Sequence, residues 1–254
     1  MINLDKNKIF IEHAQRFNLV QIDHFIEQNL FNELRKKYPS DNYYEVNTKY
    51  AQVLNNQDLN FKSFLYKEKI WLDLINEFNS DSFRKKIIDI FKVKKVYFSD
   101  SDLRRFLPFY KKVCLEFAFN KSKNGSYNDP HTDSTRKIVS MIIFFTSDEW
   151  SKEKGGIVKL FTPTKQKDED NWRNQLVNEN DLKELQEIFP KPNRFYGFKK
   201  TKNSYHSVTK INCKDNESRN VLMINLSYAN KIDIPYFNET IFKKILNKFW
   251  RRKI

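Results

Sequence analysis

Two stretches decide the fold: residues 138–145 (IVSMIIFF) and residues 219–228 (RNVLMINLSY). Both have the length of a β-strand, and the first is an almost unbroken apolar run, which is typical of a strand buried on both faces. Residues 96–98, 113–119 and 157–161 are further strand candidates. Several strands at this spacing, separated by turn signals, favour a β-sandwich or barrel.

The chain before these strands is predicted to be mainly helical. Apolar residues recur at helical spacing over residues 25–34, 61–78 and 83–91, and Ser80 precedes the third stripe as a candidate N-cap. A polar excursion that separates two strand candidates, residues 162–192, is expected to contain a short helix. We place that helix at residues 181–189.

The expected organisation is a single domain, because 254 residues suit one large domain with a substantial core. Its parts are a helical segment (1–95), a β-rich core (96–230) and a basic amphipathic C-terminal helix (236–254). In that last segment, apolar residues at helical spacing alternate with Lys and Arg, which fits either packing against the core or contact with a membrane surface or polyanion.

The composition excludes several classes of protein. Two Cys cannot form a disulfide scaffold or a multi-Cys zinc module, and four Gly do not make a glycine-rich nucleotide loop. The 46 Lys and Arg exceed the 32 Asp and Glu, which gives a net charge of +14 and points to anionic partners. Lys, Asn, Ile and Phe are all abundant, as an AT-rich genome produces, so nucleic-acid binding is not expected. The N-terminus lacks the pattern of a secretory signal, and no apolar run has the length of a membrane span, so we predict a cytoplasmic protein.

The candidate site begins with the motif Asn128–Asp133 (NDPHTD). On an extended chain, His131 and Asp133 lie on the same face, and a neighbouring strand could add His206 as a third ligand. Two histidines and one carboxylate make up the facial triad of non-heme Fe(II) enzymes. A lone His-x-Asp pair is a weak signal, and a surface turn with a solvated His131 is the competing interpretation.

Arg219 is the second element of the candidate site, because it opens the apolar strand 219–228. Strand alternation places it on one face with Val221, Met223, Asn225 and Ser227. An arginine in such a place usually either extends its charged group to solvent or pairs with a carboxylate, and here that carboxylate could belong to a ligand.

Four segments, taken in order, resemble a known family: PHTDSTRKIVSMIIFF, GGIVKLF, SYHSV and SRNVLMINLSY, which span roughly residues 112–230. The set is similar to the Fe(II)- and 2-oxoglutarate-dependent dioxygenases, and most of all to their prolyl-4-hydroxylase-like branch. The resemblance implies a mainly β fold with flanking helices, the double-stranded β-helix or distorted jelly roll. It implies His131, Asp133 and His206 as iron ligands and Arg219 as the residue that binds the distal carboxylate of 2-oxoglutarate. Tyr127 is either a further cosubstrate contact or an ordinary rim tyrosine.

The implied activity is hydroxylation by O₂ with release of succinate and CO₂. The substrate is unidentified; a protein side chain such as proline and a small metabolite or sugar are both open. Collagen-type prolyl hydroxylases have Lys where this chain has Arg219, and the nucleic-acid demethylases carry a second Arg where it has Asn225. The alternatives are a cupin-like enzyme with another metal, such as zinc, and a non-enzymatic polyanion-binding module.

Overall fold

The computed structural model describes residues 2–4, 9–13, 17–44, 51–107, 109–164, 179–201 and 203–230. Its strands, β1 to β12, are Ile9–His13, Phe17–Ile22, Gln52–Asn55, Val96–Tyr97, Lys111–Ser122, Asn128–His131, Lys137–Phe144, Val158–Pro163, Leu182–Ile188, Phe195–Lys199, Tyr205–Val208 and Arg219–Tyr228. Its helices, α1 to α4, are Gln28–Lys36, Leu59–Lys67, Lys69–Asn79 and Asp81–Ile90.

The strands form two sheets that pack face to face as a distorted jelly roll. The larger sheet has the order β1-β2-β10-β7-β12-β5-β3, with β4 added beside β5, and the smaller has the order β6-β11-β8-β9. All the strand pairs are antiparallel except that of β4 with β5. The cavity described below lies between the two sheets.

The larger sheet is covered on both faces, which explains the continuous apolar sequence of its central strands. Phe144 belongs to the cluster between the sheets, whereas the next residue, Phe145, packs under the helices against Phe31 and Trp71. Successive side chains of an extended chain point to opposite faces, so neighbouring phenylalanines serve two different layers.

The helices lie on the outer face of the larger sheet and bury their aromatic side chains there. Trp71 is fully buried, packs edge-on against Phe119 of β5 and donates its indole N–H to the backbone oxygen of Lys37 at 2.7 Å. Helix α4 begins after Ser80, whose hydroxyl accepts the backbone N–H of Phe83, as its N-cap position predicts.

Strands β7 and β12 coincide with the two stretches that the sequence singled out, within one residue for β7 and at both ends for β12. The helix predicted at 181–189 is wrong, because this segment is strand β9 and pairs antiparallel with β8. Its local composition suits a helix, but Leu182 and Ile188 are buried against the smaller sheet, and long-range pairing overrides local propensity.

The N-terminal part also differs from its description as a helical segment. It contains the four helices, and it contributes β1, β2 and β3 to the larger sheet as well. Strand β2 pairs with β10, whose residues lie more than 170 positions further along the chain. The C-terminal segment, 236–254, lies outside the described residues. None of the described helices is long and apolar enough to cross a membrane.

Candidate active site

The smaller sheet brings the two predicted histidines together. Strands β6 and β11 pair with His131 directly opposite His206, and the centres of the two imidazole rings are 4.3 Å apart. Asp133 follows β6 by two residues, and its Oδ2 lies 4.0 Å from Nε2 of His206. Each of the three residues offers one ligand atom, and these atoms all lie within 4.8 Å of one another. The cluster has the composition and the spacing to hold one metal ion.

Backbone carbonyl groups orient both imidazole rings. The Nδ1–H of His131 donates to the oxygen of Asp129 at 2.8 Å, and that of His206 to the oxygen of Ser204 at 3.2 Å. Nε2 is then the atom of each ring that can bind a metal, and that of His131 also lies 3.4 Å from Nδ2 of Asn128. Burial lowers the pKa of His206 to about 4, so this imidazole is neutral at neutral pH and keeps its lone pair.

The carboxylate of Asp133 is fixed by two further contacts. Lys137 places its ammonium 2.7 Å from Oδ1, and the hydroxyl of Ser140 on β7 donates to Oδ2. Burial by itself raises the pKa of Asp133, but the Lys137 charge and these hydrogen bonds hold it well below its usual range. Asp133 is therefore anionic in this site.

The three residues face a cavity of about 310 Å³ between the sheets. Its wall is mixed, because β7 and β12 each contribute both polar and apolar side chains. Tyr127, Asn225 and Met223 are among the residues that line it, and Arg219 closes it at one end. The face of β12 predicted from strand alternation therefore does point into the site.

Arg219 is only 4% exposed. Its Nε and Nη2 atoms have no hydrogen-bond partner among the described residues. The guanidinium lies 5.0 Å from the centre of the Phe144 ring, and its stem passes directly beside Gly156. Burial lowers the pKa of Arg219, but an arginine remains charged at any ordinary pH. A buried cation with unused donors fits an anionic ligand in the cavity.

The structure also adds residues that the sequence did not reveal. Tyr196 on β10 is buried in the cavity wall, and burial raises the pKa of its phenol well above the ordinary value. Lys137 and Ser140 hold Asp133, and Gly156 makes room for Arg219. Among these residues only Gly156 could have been noticed in the sequence, because the glycine pair at 155–156 directly precedes the strand predicted at 157–161.

Two remaining histidines take no part in the cluster. His24 is exposed in the turn after β2, as an ordinary surface residue. The side chain of His13 lies outside the described residues.

Comparisons with known proteins agree with this geometry. Residues 117–227 match the family model of the 2OG-Fe(II) oxygenase superfamily, where 2OG is 2-oxoglutarate. No curated protein matches the chain. HygX from Streptomyces hygroscopicus, solved with nickel and 2-oxoglutarate bound, is similar with a TM-score of 0.50 and 9% identity, over 83% of each chain.

Two further solved structures are similar. A prolyl-4-hydroxylase from Pseudomonas putida has a TM-score of 0.49 and 14% identity, over 84% of this chain and 93% of its own. An oxidoreductase of the 2OG-Fe(II) oxygenase family from Burkholderia pseudomallei has a TM-score of 0.49 and 13% identity, over 82% and 84%. At these identities the structural likeness concerns the fold, and the family match over the jelly-roll core carries the assignment. Over residues 117–227, a little under half of its length, the chain has the sequence pattern of the 2OG-Fe(II) oxygenase superfamily, and it is an oxygenase that uses Fe(II), 2-oxoglutarate and O₂.

Proposed function

We propose that His131, Asp133 and His206 hold the Fe(II) of this oxygenase and that Arg219 binds the distal carboxylate of 2-oxoglutarate. The observation that carries the proposal is the convergence of these four residues on one buried cavity, where Arg219 keeps two unused donor atoms.

The donor set fits the metal. Two neutral imidazoles and one carboxylate on one side of an ion leave its other positions open, which is the arrangement of non-heme Fe(II) oxygenases. The orienting contacts from Asp129 and Ser204 fix the rings, and those from Lys137 and Ser140 fix the carboxylate. Hydrogen bonds that orient the ligand residues in this way increase the affinity of a site for its metal.

The cavity also fits the cosubstrate. A guanidinium binds a carboxylate through two parallel hydrogen bonds, and burial strengthens them because little water competes. Arg219 would therefore orient 2-oxoglutarate toward the triad. When bound, Fe(II) and 2-oxoglutarate supply the oxidising chemistry, in which O₂ converts the cosubstrate to succinate and CO₂ and the substrate is hydroxylated.

The protein's own contribution is binding, orientation and exclusion of water. Val221 and Met223 form an apolar wall beside Arg219, which keeps bulk water from the reacting groups. We propose Tyr127 as a contact at the mouth of the site, since it lines both the cavity and an adjoining open groove of about 370 Å³. That groove would receive the rest of the substrate, whether a protein side chain such as proline or a small metabolite or sugar.

We also propose a cytoplasmic location. Cys114 and Cys213 are both free thiols, which suits a reducing compartment. Asn225 in the cavity supports a substrate other than a nucleobase, because the nucleic-acid demethylases of this superfamily have an arginine at this position.

The test is an anaerobic titration of Fe(II) and 2-oxoglutarate, followed by visible absorption. The wild type is expected to show a weak charge-transfer band, and His131→Ala should show none. Arg219→Met should require roughly 10- to 150-fold more 2-oxoglutarate, since at least one charge-assisted hydrogen bond is lost. Arg35→Met is the matched control, because Arg35 lies outside the cavity in an ion pair with Asp148.

Succinate release in air extends the test to turnover. Tight zinc in the purified protein, with no band and no succinate, would refute the proposal and support the cupin-like alternative. An Arg219→Met variant that binds 2-oxoglutarate as tightly as Arg35→Met would remove Arg219 from its role while leaving the metal site intact.

A further inference from the structure

A second notable surface lies just before the start of β5. Six large apolar side chains are exposed among the described residues, and four of them fall within seven residues of sequence, LRRFLPF. They are Leu103 (80% exposed), Phe106 (68%), Leu107 (49%) and Phe109 (71%), which we call the 103–109 patch. Single exposed apolar residues are ordinary, but a cluster of this kind marks an interaction surface.

Cations surround the patch. Arg105 stacks over the ring of Phe106 at 4.5 Å, and Lys95 lies 5.3 Å from the ring centre of Phe109. The sequence from 94 to 112 contains six Lys and Arg against two Asp, so the patch is set in a net positive surface. Apolar side chains among cations have the composition of proteins that insert shallowly into the interface of an anionic bilayer.

The patch is distant from Arg219 along the sheet but not from the triad. The 103–109 patch comes just before the start of β5, whereas Ser122 at the other end of β5 pairs with Arg219. Lys137, which contacts the carboxylate of the triad, pairs with Ser227, and Ser227 pairs with Cys114 near the start of β5. Along the larger sheet the patch therefore lies nearer to the triad than to Arg219.

The last described strand ends beside the start of β5. The backbone N–H of Ala229 donates to the oxygen of Lys112. Residues 231–254 follow in sequence and lie outside the described residues. Their sequence has seven Lys and Arg against two Asp and Glu. The positive charge of the described surface around the patch is therefore continued in the sequence that follows β12.

We propose that the 103–109 patch docks this protein on an anionic lipid bilayer. A second copy of the chain and the C-terminal segment are both strongly basic, so either one bound at the patch would bring like charges together. Anionic headgroups would instead neutralise the Lys and Arg side chains around the patch. The exposed Phe and Leu side chains favour a bilayer over a nucleic acid, because they can enter the acyl boundary while the cations meet phosphates.

The experiment is sedimentation of the full-length protein with vesicles of phosphatidylcholine, with or without phosphatidylserine. The wild type is expected to bind the mixed vesicles, and binding should weaken as salt screens the charges. Phe106→Ser/Phe109→Ser should reduce the partition coefficient at least ~10-fold, because two aromatic side chains no longer leave water. Leu59→Ser/Tyr66→Ser is the matched control, since these two residues of α2 are equally exposed but lie outside the patch.

The C-terminal segment is present in every variant, so the difference between the two double variants measures the patch alone. Succinate formation without vesicles should be the same for both, which shows that each is folded. The proposal is overturned if the wild type does not bind mixed vesicles or if the two variants bind equally. A dimer in analytical ultracentrifugation that Phe106→Ser/Phe109→Ser abolishes, without vesicle binding, would assign the patch to a second copy instead.

Discussion

The most specific test of the cosubstrate site is a substitution of Gly156, which would affect 2-oxoglutarate only through Arg219. A Cβ atom added to Gly156 would lie 2.5 Å from Cδ and 3.2 Å from Nε of Arg219. Carbon atoms in contact are at least about 3.5 Å apart, so Gly156→Ala must displace the arginine stem by about 1 Å. The same shift would lengthen one guanidinium–carboxylate hydrogen bond beyond its working range.

Two separate effects follow from this change. Losing one charge-assisted hydrogen bond costs about 1.5–3 kcal/mol, which corresponds to roughly 10- to 150-fold weaker binding of 2-oxoglutarate. Gly156 also has a φ of +69°, and alanine in this left-handed region costs about 1–2 kcal/mol of folding stability. For a domain of this size that is a fall in Tm of roughly 2–8 °C.

Gly125→Ala separates the two effects. Gly125 has a φ of +81°, but an added Cβ there meets nothing within 4 Å. The two alanine variants should lose comparable stability in a thermal melt, while only Gly156→Ala raises the concentration of 2-oxoglutarate needed in the anaerobic titration and in succinate formation.

A double variant completes the design. In an Arg219→Met background, Gly156→Ala should have no further effect on 2-oxoglutarate binding, because the group it displaces is already gone. If Gly156→Ala binds 2-oxoglutarate as tightly as Gly125→Ala does, the close approach to Arg219 has no role in the site and the reasoning is refuted.

Three further outcomes follow from contacts elsewhere. Ser140→Ala removes a hydrogen bond to Asp133 and should weaken Fe(II) binding roughly 10- to 100-fold in a metal titration, whereas unchanged affinity would show that Lys137 alone holds the carboxylate. The hydrogen bond from Arg194 lowers the pKa of Asp23 from 3.8 to about 2. The Asp23–Arg194 pair therefore stabilises the fold above about pH 4, and this stabilisation is lost as the pH falls toward 2. The free energy of unfolding in urea should accordingly vary less with pH across this window for Asp23→Asn than for the wild type. Trp71→Ala should lower the free energy of unfolding by about 3–5 kcal/mol in the same assay, and a loss below 1 kcal/mol would mean that the helices and the sheet are not packed through this ring.

The candidate site was accessible from the sequence because its signals are short-range. His131 and Asp133 share a face of one extended segment, and Arg219 opens a strand whose alternation is visible in the residues themselves. The order of the four segments then pointed to the superfamily, which the match over residues 117–227 confirms. The metal and cosubstrate roles of the individual residues remain predictions until the titrations are done.

The sequence by itself determined the central strands β7 and β12, the capped start of α4 and the pair His131 and Asp133, since each rests on periodicity or on neighbours within a few positions. The third member of the triad, His206, is brought opposite His131 only by the pairing of β6 with β11. Only the tertiary structure decided that residues 182–188 form a strand, because their conformation is set by pairing with β8 rather than by their own helix propensity. The tertiary structure also places Gly156 against the stem of Arg219, although more than sixty residues separate the two in sequence. Local patterns restrict the backbone of a segment, but which surfaces meet is set by burial and pairing between segments far apart in sequence, and no local pattern records that.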